Sequence, residues 1–435
     1  MKYIPLPQEL FVANRQRLKA LLKPNSVAIF NSHDEMPKSA DSSFNFSQNR
    51  DIYYLTGIDQ EDSILVMYPD APNPMFKEML FLKRTNETIA IWEGHKYTKE
   101  EALAVSGISR IHWLEDFDTM LQLVLHQAEI VYLNSNEHDR HVWHQSYKDL
   151  DFVHRIQREY PMHKLERVAP LMHRLRAIKS EPEIAAMREA VRITHKAFER
   201  ILKFVKPGVT EYEIEAEITH EFLRNRATGH AYTPIIASGA SAIVLHYIEN
   251  NKVCHDGDLM LLDFGAEYAN YAADLTRCIP VNGTFSPRQK EIYNAVLNIH
   301  NQAKAMLLVG ETWDNYHLKV GQITTEELVR LKLISKEDCK NDDWHNVPWN
   351  EAKAYRKYLM HGTSHFLGLD VHDVGSRYRT FEAGMVFTCE PGIYIPEEGI
   401  GVRIENDILI TTTGNTDLMS AIPIEADEIE ALMAK

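Results

Sequence analysis

Four acidic residues stand where the C-terminal part of the chain should run as apolar strands. Asp263 interrupts LMLLDFG, Asp274 interrupts YAADLTRCI, Glu390 ends MVFTCE and Glu405 sits inside GVRIENDILI. An ionised carboxylate in an apolar strand is strongly unfavourable unless positive charge compensates it. Their register sharpens the point. If the first two strings form a hairpin, the midpoint of Asp263 and Asp274 falls in a turn at Tyr268-Ala269, and the two acids become cross-strand neighbours. The midpoint of Glu390 and Glu405 falls inside PEEG (396–399), so they too would face each other. Like charges directly opposite destabilise a hairpin, and two such pairs are tolerable when cations lie between them. An exposed turn or edge position is the alternative for any one of these acids.

Histidines cluster nearby. His361, His365 and His372 fall within MHGTSHFLGLDVHDVG, and His246 lies in VLHYIEN. His361 and His365 have the spacing of HExxH, but Gly362 stands where a zincin carries its general-base glutamate, so that reading fails. Four carboxylates and one imidazole make a hard, oxygen-rich donor set. It suits manganese or cobalt better than structural zinc, and four acids suggest two divalent ions.

The elements that must position these groups come from a chain of 435 residues, long enough for two or three domains. Apolar residues make up 44% and charged residues 25%, which excludes a disordered or fibrous chain. The formal charge of −15 argues against binding to nucleic acid or anionic membranes. No apolar run approaches the ~18 residues of a spanning helix. The first residues show neither a hydrophobic signal core nor a twin-arginine pair, so a cytoplasmic location is expected. Cys254, Cys278, Cys339 and Cys389 lack CxxC spacing and read as reduced thiols.

Strands are predicted at 26–31, 62–68, 78–83 and 129–134. PQELFVANRQRLKALL and KYTKEEALAVSG read as amphipathic helices between them. This is an α/β domain, and it lacks both GxGxxG and GxxxxGK[ST]. A boundary is predicted near 160–178. Three helix starts follow, marked by Ser180 with Glu183, Thr210 with Glu213, and Ser286 with Gln289. The rest is rich in strands. The expected organisation is an α/β domain over 1–172 and an α+β domain over 173–435.

The strings LLDFGAEYANYAADLTR, HGTSHFLGLDVHD, TCEPGIYI and GVRIENDILI resemble the pita-bread metallopeptidases, and within them aminopeptidase P, the Xaa-Pro aminopeptidase. SADSSFNFSQNRDIYYLTGIDQEDSILVMY and IWEG resemble that family's N-terminal domain. The resemblance implies a pita-bread catalytic fold with Asp263, Asp274, His365, Glu390 and Glu405 as ligands of two divalent ions. Manganese comes first, with cobalt or zinc as alternatives. It also implies His361 behind the ligands, His372 and His246 at the scissile carbonyl, Arg403 and Tyr394 at the substrate site, and Asp41 and Trp92 of the N-terminal domain reaching a neighbouring subunit's site. Oligomers, dimeric or tetrameric, are implied as well. Two departures stand out. Thr363 replaces the more usual leucine or glycine, and FSQNRD replaces the commoner aromatic-Arg-Gln-Asn-Ser-Asp.

The expected activity is removal of the first residue from peptides with proline second, by attack of a metal-bridging hydroxide with Glu390 shuttling the proton. Arg403 is expected to orient Glu390 or the far end of the substrate. The competing readings are a prolidase confined to Xaa-Pro dipeptides, a related organophosphate hydrolase, and an inactive peptide-binding module. All five ligand positions are filled, which disfavours the last.

Overall fold

The computed structural model describes residues 3–140, 146–340, 342, 344, 348–351 and 353–434. It has two compact units, Pro5–Arg176 and Ala177–Lys435, the second joined by Met1–Ile4.

In Pro5–Arg176 the VAIF run puts apolar side chains on both faces of a strand, so the sheet must be covered on both sides. Ser26–Asn31 is buried throughout. It pairs antiparallel with Ser63–Met67 and parallel with Ile130–Leu133. Glu78–Leu82, Ile111–Trp113 and Lys164–Arg167 complete a six-stranded mixed sheet. Val27, Ile29 and Val131 share a core with Phe117, Leu121, Phe152 and Ile156, contributed by the helices Phe117–Leu125 and Lys148–Glu159. The α/β reading holds and the four predicted strands form, while Ile111–Trp113 and Lys164–Arg167 are strands the sequence reading did not mark.

In the second unit all three predicted capping boxes form. They open the helices Glu181–Phe204, Glu211–Arg224 and Pro287–Met306. The apolar stripe of Ile184, Met187, Val191, Phe198 and Ile201 is buried. These helices cover antiparallel sheets made from two interrupted hairpins, the mixed α+β arrangement expected of a pita-bread fold.

The first hairpin pairs Leu259–Phe264 with Leu275–Pro280 and, beyond a break at Gly265, Ala266–Tyr268 with Tyr271–Ala272. Its turn is Ala269-Asn270, both left-handed (φ 50° and 64°), as a two-residue hairpin loop requires. That is one residue later than expected. Asp263 consequently stands opposite Thr276 and not Asp274. Moving a turn by one residue moves the cross-strand partner by two, and side chains alternate with period two. Asp274 therefore keeps the face of Thr276, diagonal to Asp263.

The second hairpin has the expected register. Gly392 pairs with Arg403 on one side of a break and Cys389 with Asn406 on the other. Glu390 and Glu405 lie in the gap between these two ladders. A bridge between Thr276 and Glu405 joins the two hairpins, with the Glu405 amide donating to the Thr276 carbonyl at 3.1 Å.

Gly265 marks the break in the first hairpin. A Cβ there would lie 1.7 Å from the carbonyl oxygen of Ala273, the residue before Asp274. Backbone cannot yield as a flexible side chain would. Gly265→Ala is expected to destabilise the second unit by about 3 kcal/mol, at the upper end of overpacking costs. Urea unfolding of the variant against the parent checks this through the shift in midpoint at unchanged slope.

Candidate metal centre

Asp263 lies in Leu259–Phe264 and Asp274 immediately precedes Leu275–Pro280. Their carboxylates meet at one hydroxyl. The Tyr232 Oη lies 2.6 Å from Oδ1 of Asp263 and 2.6 Å from Oδ1 of Asp274. Glu405 reaches the same space from the second hairpin, its Oε2 accepting from the Thr276 hydroxyl at 2.6 Å. His365 closes the group. Its Nε2 is 3.3 Å from Oδ2 of Asp274 and 3.8 Å from Oε1 of Glu390. One ligand atom each from Asp274, His365 and Glu405 lies within 4.8 Å of the others.

The backbone decides which histidine nitrogen faces the acids. His365 Nδ1 is 2.9 Å from the Phe366 carbonyl, to which it can only donate. That contact turns Nε2 toward Asp274 and Glu390, where it shares a proton with the acids until a cation displaces it. The ring is held further by the His365 amide donating to the Thr388 hydroxyl and by the Thr388 amide donating to the His365 carbonyl.

Charge does not balance here. Among the described residues of the cluster, four carboxylates face one guanidinium, Arg403, whose Nη2 donates to Asp263. Burial raises the Asp263 pKa against the opposing pull of Arg403, and Asp274 raises it further. Burial together with Asp274 and Glu390 holds Glu405 well above the usual carboxylate range. Burial pushes Glu390 up to about 7, with His365 and Arg403 pulling the other way. Tyr232 is raised by burial and then by the two aspartates. Surplus negative charge, convergent oxygen donors and one imidazole nitrogen fit divalent cations.

Behind the acids runs a supporting chain. Arg403 Nη1 donates to the Tyr394 hydroxyl at 2.9 Å, and that hydroxyl is 2.8 Å from His361 Nε2. His361 Nδ1 lies 2.6 Å from the Gly362 carbonyl. Burial and the adjacent Arg403 lower the His361 pKa to about 3, so the ring is neutral and accepts from Tyr394. Tyr394 is fully buried, which places it behind the cluster and not on a substrate-facing wall. Arg403 likewise contacts Asp263, Tyr394 and Thr276.

Arg277 is also fully buried. It donates to the carbonyls of Thr276, Glu405 and Pro423 and to the Asn406 side chain, which fixes the segment bearing Glu405.

His372 stands edge-on to His365, ring centres 4.4 Å apart, and is exposed. His246 is exposed on the segment after Ile235–Ser238, close enough to His361 to depress its protonation. That segment is tied down by Glu211, which accepts from the Ser238 amide and hydroxyl, the Tyr247 hydroxyl and the Lys252 amide. Asp41 and Trp92 belong to the other unit. Asp41 sits in the turn between Pro37–Ser39 and Ser42–Ser43, Trp92 in the helix Glu87–Glu93, and both are exposed. Sequence reasoning missed Tyr232, Thr276 and Arg277. Thr276 was reachable, because it stands two residues from Asp274 on the same strand face. Nothing in AYTPII marked Tyr232.

Residues 185–412 match metallopeptidase family M24 and residues 11–132 match the aminopeptidase P N-terminal domain. A Xaa-Pro aminopeptidase of Haemophilus influenzae is 36% identical over 440 residues, covering 98% of each chain. The structure of Escherichia coli aminopeptidase P with the inhibitor Pro-Leu superposes with a TM-score of 0.87 at 33% identity, covering 99% of both chains. The zinc-substituted form of that enzyme in complex with product matches with the same TM-score, identity and coverage.

Protons held by raised carboxyls must leave when a cation binds. With Glu390 titrating at about 7, it is mostly protonated at pH 6 and ionised at pH 8.5 in the metal-free protein. Binding of Mn2+ is expected to release more protons at pH 6 than at pH 8.5. Calorimetric titrations in buffers of different ionisation enthalpy measure the difference, and equal release at both pH values would contradict the assignment.

Proposed function

The chain belongs to metallopeptidase family M24, and from that membership and the acid cluster we propose that it is a metal-dependent aminopeptidase releasing the first residue of peptides with proline second. The observation that carries the reading is the convergence of Asp263, Asp274 and Glu405 on one buried space poor in positive charge beside Nε2 of His365. The matched N-terminal domain and the full-length likeness to Xaa-Pro aminopeptidases favour this over a prolidase, an organophosphate hydrolase or an inactive module.

Asp263, Asp274, His365, Glu390 and Glu405 would hold two divalent ions, manganese first. When bound, such ions polarise a carbonyl and lower the pKa of water, so that a nucleophile exists at neutral pH. Glu390 is the least enclosed of the four acids. It takes the proton from the attacking water and returns it to the leaving nitrogen. His372 and His246 donate to the carbonyl oxygen as negative charge develops there. Arg403, Tyr394 and His361 hold Asp263 and the wall behind it in place, which keeps the donors preorganised. The substrate's amino group sits beside the surplus of carboxylates. Proline supplies a scissile nitrogen without N–H, so the site need not pair a donor there.

The functional division is 1–172 for substrate access and assembly and 173–435 for catalysis, with Asp41 and Trp92 acting from the first. A homodimer or homotetramer working in the cytoplasm completes the reading. No described helix is long and apolar enough to cross a membrane.

Assay of Xaa-Pro-Yaa and Xaa-Pro substrates with manganese tests the assignment. Cleavage of the tripeptide is expected, abolished by chelator, whereas activity on the dipeptide alone would make the enzyme a prolidase. Alanine in place of Asp263, Asp274, His365, Glu390 or Glu405 should abolish turnover. His372→Ala should lower kcat about 100-fold or more, as loss of an oxyanion donor does, while bound metal measured by atomic absorption stays at the parental level.

A further inference from the structure

Lys179 and Asp373 form an ion pair that the chemistry above does not use. The ammonium lies 3.1 Å from Oδ2 of Asp373, and both side chains are about 1% exposed. A fully enclosed lysine is uncommon, and surface solubility cannot account for one. Replacing a buried pair by apolar side chains is often neutral or better for stability, so its presence points to a need for geometry.

The geometry concerns one loop. Asp373 directly follows His372 and closes the turn 366–373, its amide donating to the Phe366 carbonyl at 2.9 Å. The near side of the turn is held by the Leu367 amide on the Val386 carbonyl and by the Ala272 amide on the Gly368 carbonyl, 3.1 and 2.8 Å. Those bonds anchor it to both acid-bearing hairpins. At the His372 end the Lys179–Asp373 pair also holds the chain. Lys179 is itself fixed by its amide donating to the Gly384 carbonyl at 2.8 Å.

Gly368 makes room for the pair. A Cβ on Gly368 would meet Asp373 Oδ2 at 2.2 Å and Lys179 Cε at 2.7 Å. The carboxylate and the lysine stem thus lie directly on the loop backbone.

We infer that Lys179 is a positioning residue for His372, acting through Asp373 to hold the imidazole where the scissile carbonyl arrives. This rests on the reading of His372 given above. Lys179 touches no reacting atom. Its loss should leave binding and metal intact and weaken the step that His372 serves, because small displacements of a donor are costly only in the transition state.

The test is a double-mutant cycle on the metal-loaded full chain, assayed with an Xaa-Pro-Yaa tripeptide: Lys179→Met, His372→Ala and the two combined. Lys179→Met is expected to lower kcat up to ~100-fold, with KM and metal content unchanged. Added to His372→Ala, it should cost no more than about twofold, since the group it positions is gone. Losses that multiply in the double variant would overturn the positioning role while leaving the function of His372 standing. A fully active His372→Ala would instead overturn the reading of His372 and this inference with it. Asp373→Asn keeps the carboxylate's shape without its charge, and the same cycle is run with it if Lys179→Met does not fold.

Discussion

The second unit is organised around a repulsion. Asp263, Asp274, Glu390 and Glu405 crowd together with Arg403 as the neighbouring cation, and burial raises three of them toward the neutral form. Left alone, such a cluster would be expelled to solvent or protonated. The fold holds it by covalent and hydrogen-bonded constraint, and so creates a demand for positive charge at one point. Divalent cations would meet that demand, and their charge, opposed to that of the acids, would lower the pKa of a bound water. Binding and chemistry thus share one electrostatic origin.

Constraint of this kind needs backbone where carboxylates can turn inward together. Unbroken ladders would space the acids along a flat sheet. Both hairpins instead break beside an acid, at Gly265 before Asp274's strand and at Glu390-Pro391 opposite Ile404-Glu405. The Thr276–Glu405 bridge then locks one broken hairpin against the other. Polar side chains finish the work. Tyr232 ties two acids together, Thr276 holds a third, and Arg277 fixes the carbonyls behind. The helices, with their capped N-termini and apolar stripes, carry the burial that makes these polar bonds strong.

The acids of the cluster were legible because they break a local rule. An acid inside an apolar strand conflicts with its surroundings, and such conflicts concentrate at functional sites. The pairing of Glu390 with Glu405 was legible from the loop between them, since PEEG is the evident turn. The pairing of Asp263 was off by one turn residue because YANYA holds two competing positions for a hairpin loop, and Ala269-Asn270 won through the tolerance of asparagine for left-handed backbone. The convergence survived because the slip was an even number of residues across the strand.

The sequence by itself determined most of the elements, the capped helix starts, the apolar strand runs and the charge that had to be neutralised. Each of these depends on neighbours within a few residues along the chain. Tertiary structure alone decided the partners: Arg403 on Asp263 and Tyr394, Tyr232 between two aspartates, Lys179 against Asp373. These contacts join residues far apart in sequence, and no local periodicity records them. Which side chain answers a buried charge depends on which strands and loops the fold brings within hydrogen-bond reach. That is set by the packing of the whole unit and not by the spacing of any motif.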